Sequence, residues 1–252
     1  MSNDLTGKVA LVTGSSRGLG AGIAMKLAAC GAKVAVNYFG SEEKAKSVKQ
    51  QINEQGGSAE IFKANVTDEQ EVKQMCQKIT ETLGEIDILV INATGPQPII
   101  KIEDLTWQDM LNQLDFFVKS PLYLVQQVIA SMKRKKYGRI INIGSEVFET
   151  AAPLEFSNYI SAKGAQLGLT RSWSSELAAF QITVNLVAPG WIPTERHAND
   201  SQEAKDQYAE TVPLKRQGKA EDIGDTVAFL ASDGANFITG QRISVNGGKT
   251  VE

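Results

Sequence analysis

Two spacings of hydrophobic residues alternate along the chain. Residues 8–12 are rich in Val, Leu and Ala with no helical spacing, as a strand buried on both faces requires. The run breaks at Gly14, Gly18 and Gly20, and a helical spacing follows over 23–29, with Ile23, Leu27 and Ala28 apolar. The same succession recurs. Further strands are expected at 34–38, 59–63, 86–91, 139–143, 183–187 and 242–245. Helices are expected at 42–54, at 68–83 with Thr67 or Asp68 as cap, at 158–180 and at 221–231. Residues 105–135 read as one long helical region, with Pro121 bending it or marking a first turn, and 189–217 reads as irregular and charged. Strands alternating with helices imply right-handed crossovers and a parallel sheet covered on both faces. The expected fold is therefore α/β, a doubly wound, Rossmann-type parallel sheet of about seven strands. Ligands of such a sheet bind beyond the carboxyl ends of the strands.

Composition narrows the picture. No linker or charge run divides the 252 residues, so 1–252 reads as a single domain. A chain of this length buries roughly 70–75% of its unfolded surface and needs neither metal nor disulfide. Cys30 and Cys76 have no motif spacing and are expected to be buried thiols. The net charge of -3 gives no basic field for nucleic acid, and the run Lys133-Arg134-Lys135-Lys136 is expected to sit at a helix C-terminus, where the dipole favours cations. His197 is the only histidine, which excludes His-based metal clusters. No leader precedes Leu5 and no apolar run reaches the ~18 residues of a membrane span, so a cytoplasmic location without a membrane partner is expected.

The candidate chemistry gathers at the expected strand ends. Strand, glycine turn and helix in that order make a phosphate cradle, because glycines allow close backbone approach and the helix N-terminus offers unpaired N–H groups. Gly14 to Gly20 follows the first strand, Asn92-Ala93-Thr94-Gly95 the fourth, Gly144-Ser145 the fifth and Pro189-Gly190 the sixth. Tyr159 and Lys163 lie four residues apart and share one face of the helix expected beside them. Ser145 is flanked by Ile143 and Val147 at two residues on either side, so it is no nucleophile elbow.

These motifs, in this order, resemble the short-chain dehydrogenase/reductases from Gly7 to Gly248. The residues that carry the resemblance are Thr13-Gly14-x-x-x-Gly18-x-Gly20, Asn92 to Gly95, Ser145, Tyr159-x-x-x-Lys163, Asn185 with Pro189-Gly190, and Thr239-Gly240 leading to 245–248. The resemblance implies hydride transfer between a nicotinamide cofactor and a carbonyl. Tyr159 would be the acid, Lys163 the charge that favours its phenolate and a holder of the nicotinamide ribose, and Ser145 a donor to the substrate oxygen. It also implies cofactor contacts at Gly14, Ser16, Arg17, Gly18, Leu19, Gly20, Asn37, Ser41, Asn65, Val66, Asn92, Ala93, Gly95, Pro189, Gly190, Ile192 and Thr194, besides Tyr159 and Lys163. The second strand ends in Asn37-Tyr38-Phe39-Gly40-Ser41 without the acid that NAD sites present to the ribose. Arg17 can instead pair with a 2′-phosphate, with Asn37 and Ser41 as neutral donors, which points to NADP(H).

Three positions depart from the family pattern. Asn65-Val66 replaces Asp-Val against the adenine, Thr94 replaces an alanine beside the nicotinamide pocket, and Phe117 falls where the family has an active-site asparagine thought to anchor a proton-relay water. Either Phe117 is a core residue whose carbonyl still binds the water, or it slows proton delivery and favours apolar carbonyls. Thr94, Glu146, Phe148 and Trp191 are candidate substrate contacts, with Phe116 and Phe117 as further aromatic lining and 190–217 as a substrate lid. The nearest family flavour is the 3-oxoacyl-carrier-protein reductases. Lys136 is one residue on which an acidic carrier could dock, but Phe180 stands where a second cation is expected. A free ketone, aldehyde or sugar is the alternative substrate, and a noncatalytic NADP(H)-binding sensor the alternative function. Apolar excess around 122–132 and 167–177, Trp173 included, leads to the expectation of a homotetramer.

Overall fold

The computed structural model describes residues 3–147, 149, 153–195 and 198–251. Its strands are β1 (Val9–Val12), β2 (Lys33–Tyr38), β3 (Ser58–Lys63), β4 (Ile88–Ile91), β5 (Gly138–Ile143), β6 (Ile182–Pro189) and β7 (Arg242–Val245). They form one parallel sheet in the order β3-β2-β1-β4-β5-β6-β7. The order reverses between β1 and β4, so a crevice opens there at the carboxyl ends. Register keeps those ends level: Val12 pairs with Val36 and Val90, Ile91 with Asn142, and Ile143 with Val187. The loops after β1, β4, β5 and β6 therefore leave the sheet on one rim.

The helices are α1 (Gly18–Ala29), α2 (Glu42–Glu54), α3 (Glu69–Thr82), α4 (Trp107–Leu114), α5 (Ser120–Lys135), α6 (Ser157–Leu177), α7 (Gln202–Thr211) and α8 (Ala220–Ala231). One apolar core lies between the sheet and α1, α2 and α8, around Ile23, Leu27, Ile52, Ile223 and Val227. A second lies on the opposite face under α3, α5 and α6, around Val72, Ile79, Leu124, Val128 and Leu177. The doubly wound α/β expectation is met, and α2 and β7 run between the expected residues.

Several elements start or stop one to three residues from expectation, and three larger differences each have a local reason. Helix α1 begins at Gly18 rather than near 23, because Gly20 and Gly22 are buried against Gly14 and Ala220 and belong to its first turns. The region 105–135 divides into α4, a π-helical turn over Asp115–Lys119, and α5. A capping box at Thr106 and Asp109 starts α4, and Pro121, in the first turn of α5, has no N–H to give to the Phe117 carbonyl four residues back. Within 189–217, read above as irregular, Ser201 caps α7 by accepting from the Ala204 N–H at 3.1 Å. Asp68 is the cap of α3, accepting from the Glu71 N–H at 2.9 Å.

The basic run does close a helix. Arg134 pairs with Glu85, Lys135 with Asp87, and Lys133 lies over the Phe180 ring at 4.7 Å. Lys136 takes a left-handed conformation just before β5, at the opposite end of that strand from Ser145. Burial pushes the Cys76 thiol up to about 12, and Cys30 is half-buried at the end of α1. No helix among the described residues is long and apolar enough to cross a membrane.

Asn185, fully buried on β6, fastens the turn that feeds β7. Its Nδ2 donates to the Ile238 carbonyl at 2.8 Å and its Oδ1 accepts from the Gln241 N–H at 3.1 Å. Asn185→Ala leaves both backbone groups without that partner, at a cost of about 1–3 kcal/mol. A denaturation midpoint lowered by that amount, with unchanged slope, is the expected result of urea titration.

Candidate active site

The crevice is built from hydrogen bonds that tie the end of β1 to both neighbours. Thr13, fully buried, donates its hydroxyl to the Val90 carbonyl at 3.4 Å and accepts from the N–H groups of Asn92 and Ala93 at 2.9 and 3.1 Å. Asn92 returns its Nδ2 to the carbonyls of Thr13 and Gly14 at 2.9 and 3.2 Å. From the other side, Asn37 Oδ1 accepts from the Gly14 N–H at 2.9 Å, and Ser15 N–H donates to the Asn37 carbonyl at 2.9 Å. The turn is thereby drawn in so far that a Cβ on Gly14, whose φ is +63°, would lie 2.8 Å from Ala93 Cα. A Cβ on Gly20 would lie 2.5 Å from the Gly14 carbonyl oxygen. Arg17 precedes α1 without capping it through its side chain, so the first N–H groups of α1 are open to an anion. The Arg17 side chain is exposed and forms no ion pair among the described residues.

Asn37 requires a correction. It was expected to donate to a 2′-phosphate, but it is 2% exposed and its Nδ2 points inward, toward the carbonyl of Ala64 at 3.2 Å and Met75 Sδ at 3.3 Å. Its work is to hold the glycine turn. Ser41, just before α2, caps that helix with no side-chain hydrogen bond and stays half-buried at the rim. Asn65 accepts from the Thr67 N–H and hydroxyl at 3.1 and 2.9 Å, closing the turn into α3, and Val66 is buried beside it.

Helix α6 delivers Tyr159 and Lys163, 8% and 4% exposed, to the same rim as Ser145 at the exit of β5. Lys163 Nζ donates to the Ile143 carbonyl at 2.7 Å and to Gln166 Oε1 at 3.2 Å. Gln166 in turn donates to Asn142 Oδ1 at 3.4 Å, and Asn142 Nδ2 to Thr170 at 3.0 Å, so a buried polar chain backs the lysine. Ser145 Oγ accepts from the Val147 N–H at 3.4 Å. The Tyr159 ring stacks on Phe156 at 4.8 Å and meets Phe117 edge-on at 5.5 Å. A buried phenol whose ring centroid lies 5.7 Å from an ammonium is an arrangement that can give a proton to a developing alkoxide.

The loop after β4 rides on α4 and α6. Gln113 donates to the Pro96 carbonyl at 2.8 Å, Asn158 to that of Pro98 at 3.3 Å, and a Cβ on Gly95 would lie 2.4 Å from the Phe116 ring. Phe116 thus packs beneath the loop instead of lining a substrate pocket as expected. Thr94 is exposed and accepts from Gln97 Nε2 at 3.2 Å. Phe148 and His197 lie outside the described residues.

The Tyr208 phenol ties α7 to Glu146 and Trp191. Tyr208 on α7 donates to Glu146 Oε1 at 3.1 Å and accepts from the Trp191 N–H at 2.9 Å, while the Trp191 ring meets it edge-on at 5.2 Å. Glu146 Oε2 accepts from Asn246 Nδ2 at 2.8 Å. Glu146, expected as a substrate contact, is therefore a buried anchor for Tyr208 of α7 and for Asn246 beyond β7. Ile192, expected at the cofactor, is 4% exposed, and its Cδ1 lies 2.3 Å from where a Cβ on Gly218 would be. Pro189 carbonyl accepts from the Glu146 N–H at 3.3 Å, and Gly190 N–H donates to Val245 at 3.1 Å. Thr194 and Glu195 lie over the glycine turn, 3.5 Å from the place of a Cβ on Gly18. Ser16 and Leu19 are half-buried on that turn. Sequence reasoning missed Tyr208, Asn246 and Gln166; the signal for α7 was Ser201 followed by the helix-favouring run 202–210.

An anion cradle at the switch point of a doubly wound sheet, with a buried Tyr, Lys and Ser on its rim, defines a dinucleotide-binding oxidoreductase of the short-chain type. Residues 14–250 match the family model described as enoyl-(acyl carrier protein) reductase. The chain is 43% identical over 243 residues to the 3-oxoacyl-(acyl-carrier-protein) reductase FabG of Staphylococcus epidermidis, covering 96% of this chain and 98% of that one. Among solved structures it resembles the promiscuous reductase LugOII, which catalyses keto-reduction at C1 in lugdunomycin biosynthesis. The TM-score is 0.90 at 39% identity, over 98% of this chain and 99% of that one. It also resembles a Burkholderia cenocepacia gluconate 5-dehydrogenase in complex with NADP and tartrate, with a TM-score of 0.89 at 30% identity, over 98% and 97% of the two chains. This chain belongs to the short-chain dehydrogenase/reductase family.

Burial, reinforced by the Glu146 carboxylate, pushes the Tyr208 phenol from 10.0 up to about 12. Because the folded pKa lies above the unfolded one, the latch is at full strength below pH 10 and weakens as pH rises from 10 toward 12. Tyr208→Phe removes a hydroxyl that both donates and accepts. Amide exchange around Trp191 is expected to rise about 2–10-fold at neutral pH, and the alkaline loosening is expected to vanish. Hydrogen–deuterium exchange of both proteins across this pH range makes the comparison.

Proposed function

We propose that this protein is an NADP(H)-dependent reductase that interconverts a ketone and a secondary alcohol, with a 3-oxoacyl thioester or related ketone as substrate. The observation that carries the reading is that Tyr159 and Lys163 lie buried on one face of α6, with the Lys163 ammonium on the Ile143 carbonyl at the end of β5, two residues before Ser145. The residues fit the cofactor. The turn at Gly14 and Gly20 has no room for a side chain, so backbone can approach a pyrophosphate, and the open N–H groups of α1 face it. Arg17 reaches a 2′-phosphate from the exposed rim, where β2 ends without a carboxylate. Ser41 assists there; Asn65 and Val66 flank the adenine; Ala93, Gly95, Gly190 and Thr194 border the nicotinamide half. When bound, the cofactor supplies the hydride.

This chain's own residues handle the proton. Tyr159 donates to the substrate oxygen as negative charge develops there, and takes the proton back in the reverse direction. Lys163, charged and held by the Ile143 carbonyl, favours the phenolate so formed. Ser145 donates to the same oxygen. Trp191 and Thr94 border the reacting carbon, and the lid over 190–217 excludes water once closed. The curated relative named above acts on 3-oxoacyl groups carried by a protein, but Lys136 lies at the far end of β5 from Ser145, so a carrier does not reach both on one protomer.

The reading includes one catalytic domain over 1–252, a cytoplasmic location and a homotetramer. In support of the last, Leu122 and Trp107 are exposed, and positions 164 and 168 of α6 have nothing within 4 Å, so a second helix can approach that face closely. Tyr159→Phe tests the function. It is expected to keep NADPH affinity while lowering the rate of NADPH oxidation with a 3-oxoacyl thioester by about 10²–10⁴-fold. An unchanged rate would place the acid elsewhere.

A further inference from the structure

We propose that Phe117 is a positioning residue for the proton-transfer pair: its ring face seats the Lys163 ammonium and its edge steadies Tyr159. The inference rests on the catalytic reading above for its consequence, but its geometry stands independently. An ammonium only 4% exposed needs partners on all sides. Two are oxygens, the Ile143 carbonyl and Gln166 Oε1. A further side is covered by the Phe117 ring, whose centroid lies 3.8 Å from Nζ, well inside the ~6 Å range of cation–π attraction. The same ring meets Tyr159 at 84° and 5.5 Å, while Nζ lies 5.7 Å from the Tyr159 centroid. One side chain, 2% exposed, touches both members of the pair.

The backbone explains how it gets there. In the π-helical turn over Asp115–Lys119, consecutive residues Phe116 and Phe117 both face inward, one beneath Gly95 and the other against Tyr159 and Lys163. The charges on the surrounding elements are engaged elsewhere. Asp115 pairs with Lys119 at 2.8 Å on the outer side of that turn, and Glu146 at the exit of β5 is bound by Tyr208 and Asn246. A π face thus does, by its quadrupole, what a polar side chain at this position would do by hydrogen bonding, and keeps this wall of the site dry. A core-filling phenylalanine would matter through its volume alone; a seat for a cation matters through the electron density of its face.

Fluorination separates the two, because it withdraws density from the ring while nearly conserving its shape. Mono-, di- and trifluorophenylalanine are introduced at position 117. The ionisation of Tyr159 is read from phenolate absorbance as the difference between each protein and its Tyr159→Phe counterpart. As the ring loses its hold on the ammonium, Tyr159 is expected to ionise at progressively higher pH, by about half a unit or more over the series. A midpoint that does not move across the series overturns the proposal. Phe117→Leu is expected to give the same upward shift, and any loss of packing is read separately as thermal stability. The titration needs no turnover. A shifting series in a protein that never oxidises NADPH would sustain the positioning role and overturn the catalytic reading. A flat series in an active enzyme would do the reverse.

Discussion

Gly14 and Gly20 have no room for a side chain because Thr13, Asn37 and Asn92 pull the turn after β1 hard against the ends of β2 and β4. Each of these three side chains is buried or half-buried, and their polar atoms find partners across strands, so losing any one leaves buried backbone groups unpaired. The position of the cradle follows from this clamp. So does that of the active rim: parallel register carries the level of Val12 through Val90, Ile141 and Asn185 to the strands that present Ser145 and Pro189. A turn displaced by even an ångström would move the phosphate site relative to Tyr159, which hangs on a different helix and on the opposite core.

The placement of α7 depends on a second, smaller constraint. Glu146 leaves the sheet immediately after Ser145, and its carboxylate joins Tyr208 of α7 to Asn246 beyond β7. Segments far apart in sequence therefore meet on one buried carboxylate next to the reacting centre. Moving α7 away from β5 would break the hydrogen bond from Tyr208 to this carboxylate, a stronger kind than a neutral one. The same hydroxyl also receives the Trp191 N–H, and the two rings meet edge-on, so Trp191 is tied to α7.

Most of the fold was legible because it rests on local patterns. The change of period at 8–29, the run of polar helix formers in α2 and the spacing of Tyr159 and Lys163 are short-range features, and they gave the sheet, the cradle and the face of α6. What was not legible depends on contacts between distant segments. Nothing near Asn37 in the chain shows that its amide turns inward to Gly14 and Ala64 rather than outward to a phosphate. The division of 105–135 turns on a π-helical turn that Pro121 permits but does not dictate. Helix α7 carries a readable cap at Ser201, yet the importance of Tyr208 comes only from Glu146, sixty-two positions earlier.

These contacts hold the glycine turn, the Tyr159–Lys163 face of α6 and helix α7 in place, and a reductase built this way must transfer hydride directly to the carbonyl carbon. The most direct measurement uses NADPH carrying deuterium at the transferable position of the nicotinamide, with a 3-oxoacyl thioester as acceptor, and locates the label in the product. Deuterium is expected on the carbinol carbon when one face of the nicotinamide is labelled, and none when the other is. Product free of deuterium with both labelled forms would contradict direct hydride transfer.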